Sequence, residues 1–136
     1  MNNVIDMQLM RYINLFERVS RVSTRHCFVY NNVIIFVVPR AMVSKAVGKN
    51  GINMKSVGEI LRKKIKVVAM TDNIEQFIAD VVSPITFTKA EEKDGLVTLT
   101  AGRQSKAALI GRGRQRENEL QDILKIFFKI GKLKIA

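Results

Sequence analysis

Apolar residues recur at three- and four-residue steps through Ile5, Leu9, Tyr12, Ile13, Phe16 and Val19, with Arg11 and Arg18 between them. That spacing lays one apolar stripe along a helix. Residues 25–30 and 33–38 are β-branched or aromatic runs of strand length. Asn31-Asn32 between them tolerates the positive φ of a two-residue hairpin turn. Pro39 suits a helix start, because its missing N–H has no partner in a first turn. Met42, Val43, Ala46 and Val47 then predict a short helix. A second follows, with Val57, Ile60 and Leu61 inward and Lys55, Arg62 and Lys63 outward. Residues 65–70 read as a short buried strand.

The second half repeats this order. Asp72, with Glu75 three residues later, predicts a capping box at a helix start. Ile74, Phe77, Ile78, Val81 and Val82 form its buried face, and Pro84 ends it. Residues 85–90 alternate apolar with threonine, Asp94-Gly95 signals a turn, and residues 96–101 make the return strand. Residues 103–110 predict a short helix and 115–128 a longer one, with Leu120, Ile123, Leu124, Phe127 and Phe128 inward. Gly131 is expected to stop it before a last strand over 132–135. Each half therefore reads α-β-β-α-turn-α-β, an α+β unit with a three-stranded sheet covered by helices on one face. The units are expected at 1–71 and 72–136.

The turn in each half carries the candidate chemistry. Gly48-Lys49-Asn50-Gly51 recurs 63 residues later as Gly111-Arg112-Gly113-Arg114. A glycine turn that bears a cation and opens a helix presents backbone N–H groups to an anion. The net charge of +11, from 23 basic and 12 acidic residues, favours a polyanionic partner. Residues 1–72 carry 12 basic and 4 acidic residues and residues 73–136 carry 11 and 8, so the first half should grip phosphate harder.

Other classes find little support. Cys27 is the sole cysteine, which excludes an internal disulfide and suits a reducing, cytoplasmic compartment. Residues 1–6 lack a secretion signal, and no apolar run approaches a membrane span. His26, the sole histidine, neighbours Cys27 on a strand, so the two should face opposite ways. No His/Cys cluster has zinc spacing, and Gly48-Lys49 lacks the spacing of a P-loop. The expectation is a non-enzyme with no cofactor, no metal, no membrane partner and no small-molecule substrate.

The element order and the two glycine turns resemble the KH domain in its type II arrangement, with a GXXG loop between the central helices. Two such units in direct tandem, with Val47-Gly-Lys-Asn-Gly in the first and Ile110-Gly-Arg-Gly-Arg-Gln in the second, resemble the KH pair of the NusA family of transcription factors. The compact archaeal form is the nearest likeness, and the stretch from Asp72 to Pro84 resembles the helix that leads into its second unit. The resemblance implies a single-stranded RNA partner and a role in transcription elongation or termination. It implies the RNA polymerase elongation complex as a further partner, although 136 residues leave no room for the polymerase-binding domain and S1 barrel of the bacterial form. The alternatives are a KH protein of ribosome or RNA processing, or a basic adaptor that has lost RNA binding. Arg114, standing where the family has glycine, keeps the last alternative open.

A KH loop clamps the backbone of about four single-stranded nucleotides. The resemblance assigns that task to Gly48, Lys49, Asn50 and Gly51, with Lys45 and Lys55 extending the track or simply solvated. Val47, Ile52 and Val57 are either groove floor or plain core. In the second unit the roles fall to Gly111, Arg112, Gly113 and Arg114, flanked by Lys106 and Arg116. Arg114 limits backbone approach and disfavours positive φ, while adding a guanidinium.

Overall fold

The computed structural model describes residues 7–136. Ile5 lies outside the described residues. The chain divides into two compact units, Met1–Thr71 and Asp72–Ala136. The described residues hold two three-stranded sheets and six helices, a mixed α+β architecture.

The first unit runs α1 (Met7–Ser20), β1 (His26–Tyr30), β2 (Val33–Val38), a 3-10 turn (Arg40–Met42), α2 (Val43–Val47), a second 3-10 turn (Lys49–Gly51), α3 (Ile52–Leu61) and β3 (Lys64–Ala69). The hairpin turns at Asn31 (φ 52°) and Asn32 (φ 63°), both left-handed, which matches the twist of antiparallel strands. This sets the β1–β2 register, with Tyr30 opposite Val33 and His26 opposite Val37. β2 is central and pairs in parallel with β3, Val33 opposite Lys64. A parallel pair needs a long crossover, and α2, the glycine turn and α3 supply it.

Ile34, Phe36 and Val38 alternate along β2 and meet Tyr12 and Phe16 of α1, Ala46 of α2 and Val57 of α3 in one buried cluster. The rings of Phe16 and Phe36 stack at 4.2 Å, 13° from parallel. Ser20 closes α1 by donating its hydroxyl to the Phe16 carbonyl (2.7 Å), and Arg21 turns left-handed at φ 61°. Glu17 then accepts from the Thr24 amide at 2.8 Å, and the Thr24 hydroxyl donates to the Val37 carbonyl. Helix, connection and sheet are thus tied at one corner.

The second unit runs α4 (Ile74–Val82), β4 (Lys89–Lys93), β5 (Leu96–Thr100), α5 (Arg103–Ile110), a 3-10 turn (Arg112–Arg114), α6 (Gln115–Phe128) and β6 (Lys132–Ile135). β5 is central, antiparallel to β4 and parallel to β6. Phe77, Ile78, Val81, Val82, Val97, Leu99, Leu109, Leu120, Leu124 and Leu133 are buried. Phe77 meets the rings of Phe127 and Phe128 at 5.1 and 5.3 Å. The phenylalanine pair is half-buried and packs on Phe77.

Four expectations need correction. Ile60 is 61% exposed; the helical stripe of α3 is narrower than its apolar residues suggest. Asn73, not Asp72, caps α4, accepting from the Gln76 amide at 3.0 Å. Glu75 instead accepts from the Ala90 amide at 2.8 Å and holds the edge strand β4. That strand covers Lys89–Lys93, not 85–90, because the two-residue turn at Asp94 (φ 51°) and Gly95 (φ 82°) pairs Lys93 with Leu96 and fixes every residue behind it. Finally, α6 ends at Phe128 and is capped by Lys129, left-handed at φ 55°, before Gly131 is reached. Gly131 donates to the Gly95 carbonyl at 2.8 Å, joining the hairpin tip to the last strand.

Phe36→Ala should remove about 3–5 kcal/mol of stability, the usual cost of emptying a buried aromatic site, whereas Ile60→Lys should change stability by less than about 0.5 kcal/mol. Urea denaturation of the two variants checks the contrast. Burial, and secondarily the charge of Arg25, pushes the His26 imidazole below its ordinary value of 6.5. Its folded form binds protons less readily than the unfolded chain, so its contribution is complete above about 6.5 and is lost as pH falls below that value. Thermal melts from pH 7.5 down to 5 should show a decline that is smaller in His26→Gln.

Candidate nucleic-acid interface

Each glycine turn sits midway along the crossover that joins a unit's two parallel strands, so the sheet fixes both helices that flank it. The two turns share one backbone path. Gly48 has φ 83° and ψ 164°, and Gly111 has φ 75° and ψ 171°. Asn50 (56°, 27°) matches Gly113 (61°, 24°), and Gly51 (72°, 20°) matches Arg114 (62°, 21°). Two consecutive left-handed residues thus precede each following helix.

The positions differ in what they demand. The conformation of Gly48 and Gly111 is open essentially to glycine alone. A Cβ on Gly48 would lie 2.9 Å from the Asn53 side chain and 3.0 Å from Ile52 Cγ2. One on Gly111 would lie 2.6 Å from Arg116 Cγ and 3.0 Å from the Arg116 amide nitrogen. A Cβ on Gly51 or Gly113 would meet nothing within 4 Å. Arg114 is therefore accommodated by the turn: it follows the same left-handed path as Gly51, at a cost of roughly 1–2 kcal/mol for an L-residue.

The same hydrogen bonds close each turn. Gly48 N donates to Ser44 O and Gly51 N to Gly48 O, each at 3.0 Å, and Ile52 N donates to Lys49 O. The amides of Lys49 and Asn50 lie between these two closing bonds. The second turn repeats the pattern through Gly111 N to Ala107 O (3.0 Å), Arg114 N to Gly111 O (3.2 Å) and Gln115 N to Arg112 O, with the amides of Arg112 and Gly113 between. Successive amides where a right-handed residue meets a left-handed one form a concavity suited to an anion.

Side chains distinguish the two turns. Around the first, Lys45, Lys49, Asn50 and Lys55 are exposed, Gly51 is half-buried, and Ile52 is 59% exposed. Val47 is half-buried, and Val57 belongs wholly to the core; of the three groove-floor candidates, Ile52 and Val47 alone reach the surface. Asn53 donates from Nδ2 to the Lys45 carbonyl at 3.1 Å and staples the end of α2 to the start of α3. The first turn of α3 contains no acidic residue.

Around the second turn, Arg112, Gly113 and Arg114 are exposed and Lys106 is half-buried. Acidic partners accompany this cluster. Arg114 Nε lies 3.9 Å from Glu117 Oε1, and Arg116 Nη1 lies 3.9 Å from Glu119 Oε1. The Arg116 side chain is 26% exposed and leans on Gly111. Among the charged candidate site residues it is the one seen packed against the turn's own backbone. The staple at Asn53 and the carboxylates at Glu117 and Glu119 were not read from the sequence, although an Arg with Glu three residues on is a legible helical pair.

Among the described residues, no group of three or more His, Cys, Asp or Glu is placed to hold a metal ion, and no helix is long and apolar enough to cross a membrane. His26 and Cys27 are successive residues of β1, as the strand reading required.

No protein-family model matches the chain. It is similar to three archaeal proteins named probable transcription termination protein NusA. The one from Methanocaldococcus jannaschii is 29% identical over 128 residues, 90% of this chain and 69% of the relative. The one from Halococcus morrhuae is 26% identical over 130 residues, 93% of this chain and 94% of the relative. The one from Methanococcus vannielii is 27% identical over 103 residues, 73% of this chain and 60% of the relative. Among solved structures, the crystal structure of APE1850 matches with a TM-score of 0.68 and 26% identity, covering 97% of this chain and 100% of that one. The architecture is consistent with a two-unit KH-like fold.

Gly111→Ala and Gly48→Ala should each lower stability by about 1–3 kcal/mol, and Gly111→Ala by the larger amount because its Cβ meets backbone. Gly51→Ala should cost about 1 kcal/mol. Thermal melts of the three variants check that order.

Proposed function

We propose that the chain is a single-stranded RNA-binding protein of transcription elongation or termination, built from two tandem type II KH domains at 1–71 and 72–136. The observation that carries this reading is the coincidence of two turns, at the same place in two units, on one backbone path closed by the same hydrogen bonds. The +11 charge supplies the long-range attraction. The names of the three archaeal relatives support the transcriptional role and, with it, association with RNA polymerase elongation complexes.

The binding step follows from the local chemistry. A phosphodiester oxygen settles over Gly51, where no Cβ intervenes, and accepts from the amides of Lys49 and Asn50. The Lys49 ammonium adds a charge-assisted contact. The start of α3 contributes the positive end of its dipole. Lys45 and Lys55 continue the basic track along the backbone, and Ile52 offers an apolar surface to the neighbouring base. In the second unit Gly111, Arg112, Gly113 and Arg114 take the corresponding places, with Lys106 beside them. Phosphate contacts of this kind position the strand without reading its sequence.

Fluorescence anisotropy with single-stranded RNA, duplex RNA and single-stranded DNA across a salt series tests the proposal. Single strands should bind best, with log affinity falling against log salt by roughly 0.7 per neutralised phosphate. Lys49→Asp combined with Asn50→Asp should weaken RNA binding by at least about tenfold, since it replaces a cation and a donor with two anions, and should leave the thermal midpoint unchanged. Equal affinity of that double variant and the native chain would refute the clamp. Recovery of the tagged protein with transcribing RNA polymerase, and not with ribosomes, is the expected result for the transcriptional role.

A further inference from the structure

Resting on the reading of both turns as RNA clamps, we infer that the second turn grips phosphate through the Arg114 side chain, and that Arg114 replaces by guanidinium chemistry the bare backbone that Gly51 offers in the first.

The chain provides its own comparison. Arg114 and Gly51 occupy the same place on the same path, at φ 62°, ψ 21° and φ 72°, ψ 20°. The difference between the turns is therefore the side chain, not the fold. A Cβ at Gly51 would point into open space, so a side chain at this place projects away from the protein. Arg114 does so, with its side chain 77% exposed. The residue without a Cβ has moved one step back: Gly113 stands where the first turn has Asn50, and its surroundings are equally open. An oxygen anion can thus approach the backbone over Gly113, between the exposed side chains of Arg112 and Arg114.

Guanidinium suits that position better than ammonium would. It is planar, keeps its charge at any working pH, and holds a phosphate through two parallel N–H donors. Arg116 does not share the task, since it leans on Gly111 and lies beside Glu119. Arg114 is restrained loosely, at 3.9 Å from Glu117. The carboxylate holds the guanidinium near the turn and competes with the incoming phosphate. The ligand is the sugar–phosphate backbone of single-stranded RNA, held at the second turn by two guanidinium groups where the first turn has one ammonium.

Arg114→Gly is a test with opposite signs for opposite answers. The change restores the glycine of the first turn and relieves a left-handed arginine, so the thermal midpoint should stay level or rise. If Arg114 grips phosphate, affinity for a single-stranded RNA of mixed sequence should nevertheless fall, by about three- to tenfold near 100 mM salt, with the salt slope shallower by about 0.7. Glu117→Gln should tighten binding, and Arg114→Lys should fall between the native chain and Arg114→Gly. Unchanged or tighter binding by Arg114→Gly overturns the inference. If that occurs while Lys49→Asp with Asn50→Asp still loses RNA, the clamp reading stands and the role of Arg114 alone falls. A native chain that binds no RNA overturns both.

Discussion

The closeness of the first glycine of each turn to the side chain five residues on constrains everything around it. At Gly48 the neighbour is Asn53 and at Gly111 it is Arg116, and neither place leaves room for a Cβ. That contact sets how nearly the following helix doubles back against the preceding one. It therefore bears on where the crossover delivers the chain to its parallel partner strand. The fourth place of the turn is under no such pressure. One unit fills it with glycine and the other with arginine on the same path, so the steric demand falls on the first place of the tetrad and leaves the fourth open to a side chain.

Packing converts that local constraint into a stable presentation. β2, apolar along its whole length, is buried at five of six positions, as a central strand of a covered sheet should be. Its residues meet α1, α2 and α3 in one cluster, so the helices on both sides of the turn are anchored to the same strand. In the second unit the edge strands are held differently. Glu75 reaches the amide of Ala90 on β4, and Gln121 accepts from the amide of Leu133 on β6 at 2.9 Å. Helix side chains thus occupy edge amides that would otherwise invite another strand.

Much of this was legible because it rests on period and on turn chemistry. Asn31-Asn32 and Asp94-Gly95 mark their hairpins, and Arg103–Ile110, Gln115–Phe128 and Lys132–Ile135 end where their apolar periodicity ends. The misses share a physical cause. Residues 85–88 alternate like a strand, but register is measured outward from the turn, and counting back from Asp94 places the strand on the unpromising sequence Lys-Ala-Glu-Glu-Lys. Asp72 and Asn73 are both good caps, and sequence alone does not choose between neighbours. Lys129 takes a left-handed conformation that glycine two residues later was expected to supply. At the site, the tetrads were visible as pairs of glycines and cations. What was not visible is that Val57 belongs to the core and that carboxylates shadow the second turn and not the first. Both depend on which way a side chain leaves its helix.

The closing strand of each sheet has a temporal consequence. β3 joins β2 about thirty residues after β2 has been made, and β6 follows β5 in the same manner. Neither sheet is complete until its glycine tetrad and the helix beyond it have been synthesised, so long-range pairing sets the pace of folding. Each unit is nonetheless one uninterrupted stretch of chain, and domains of that kind fold in order as they leave the ribosome. The more strongly basic unit emerges first and can mature while the other is still being translated.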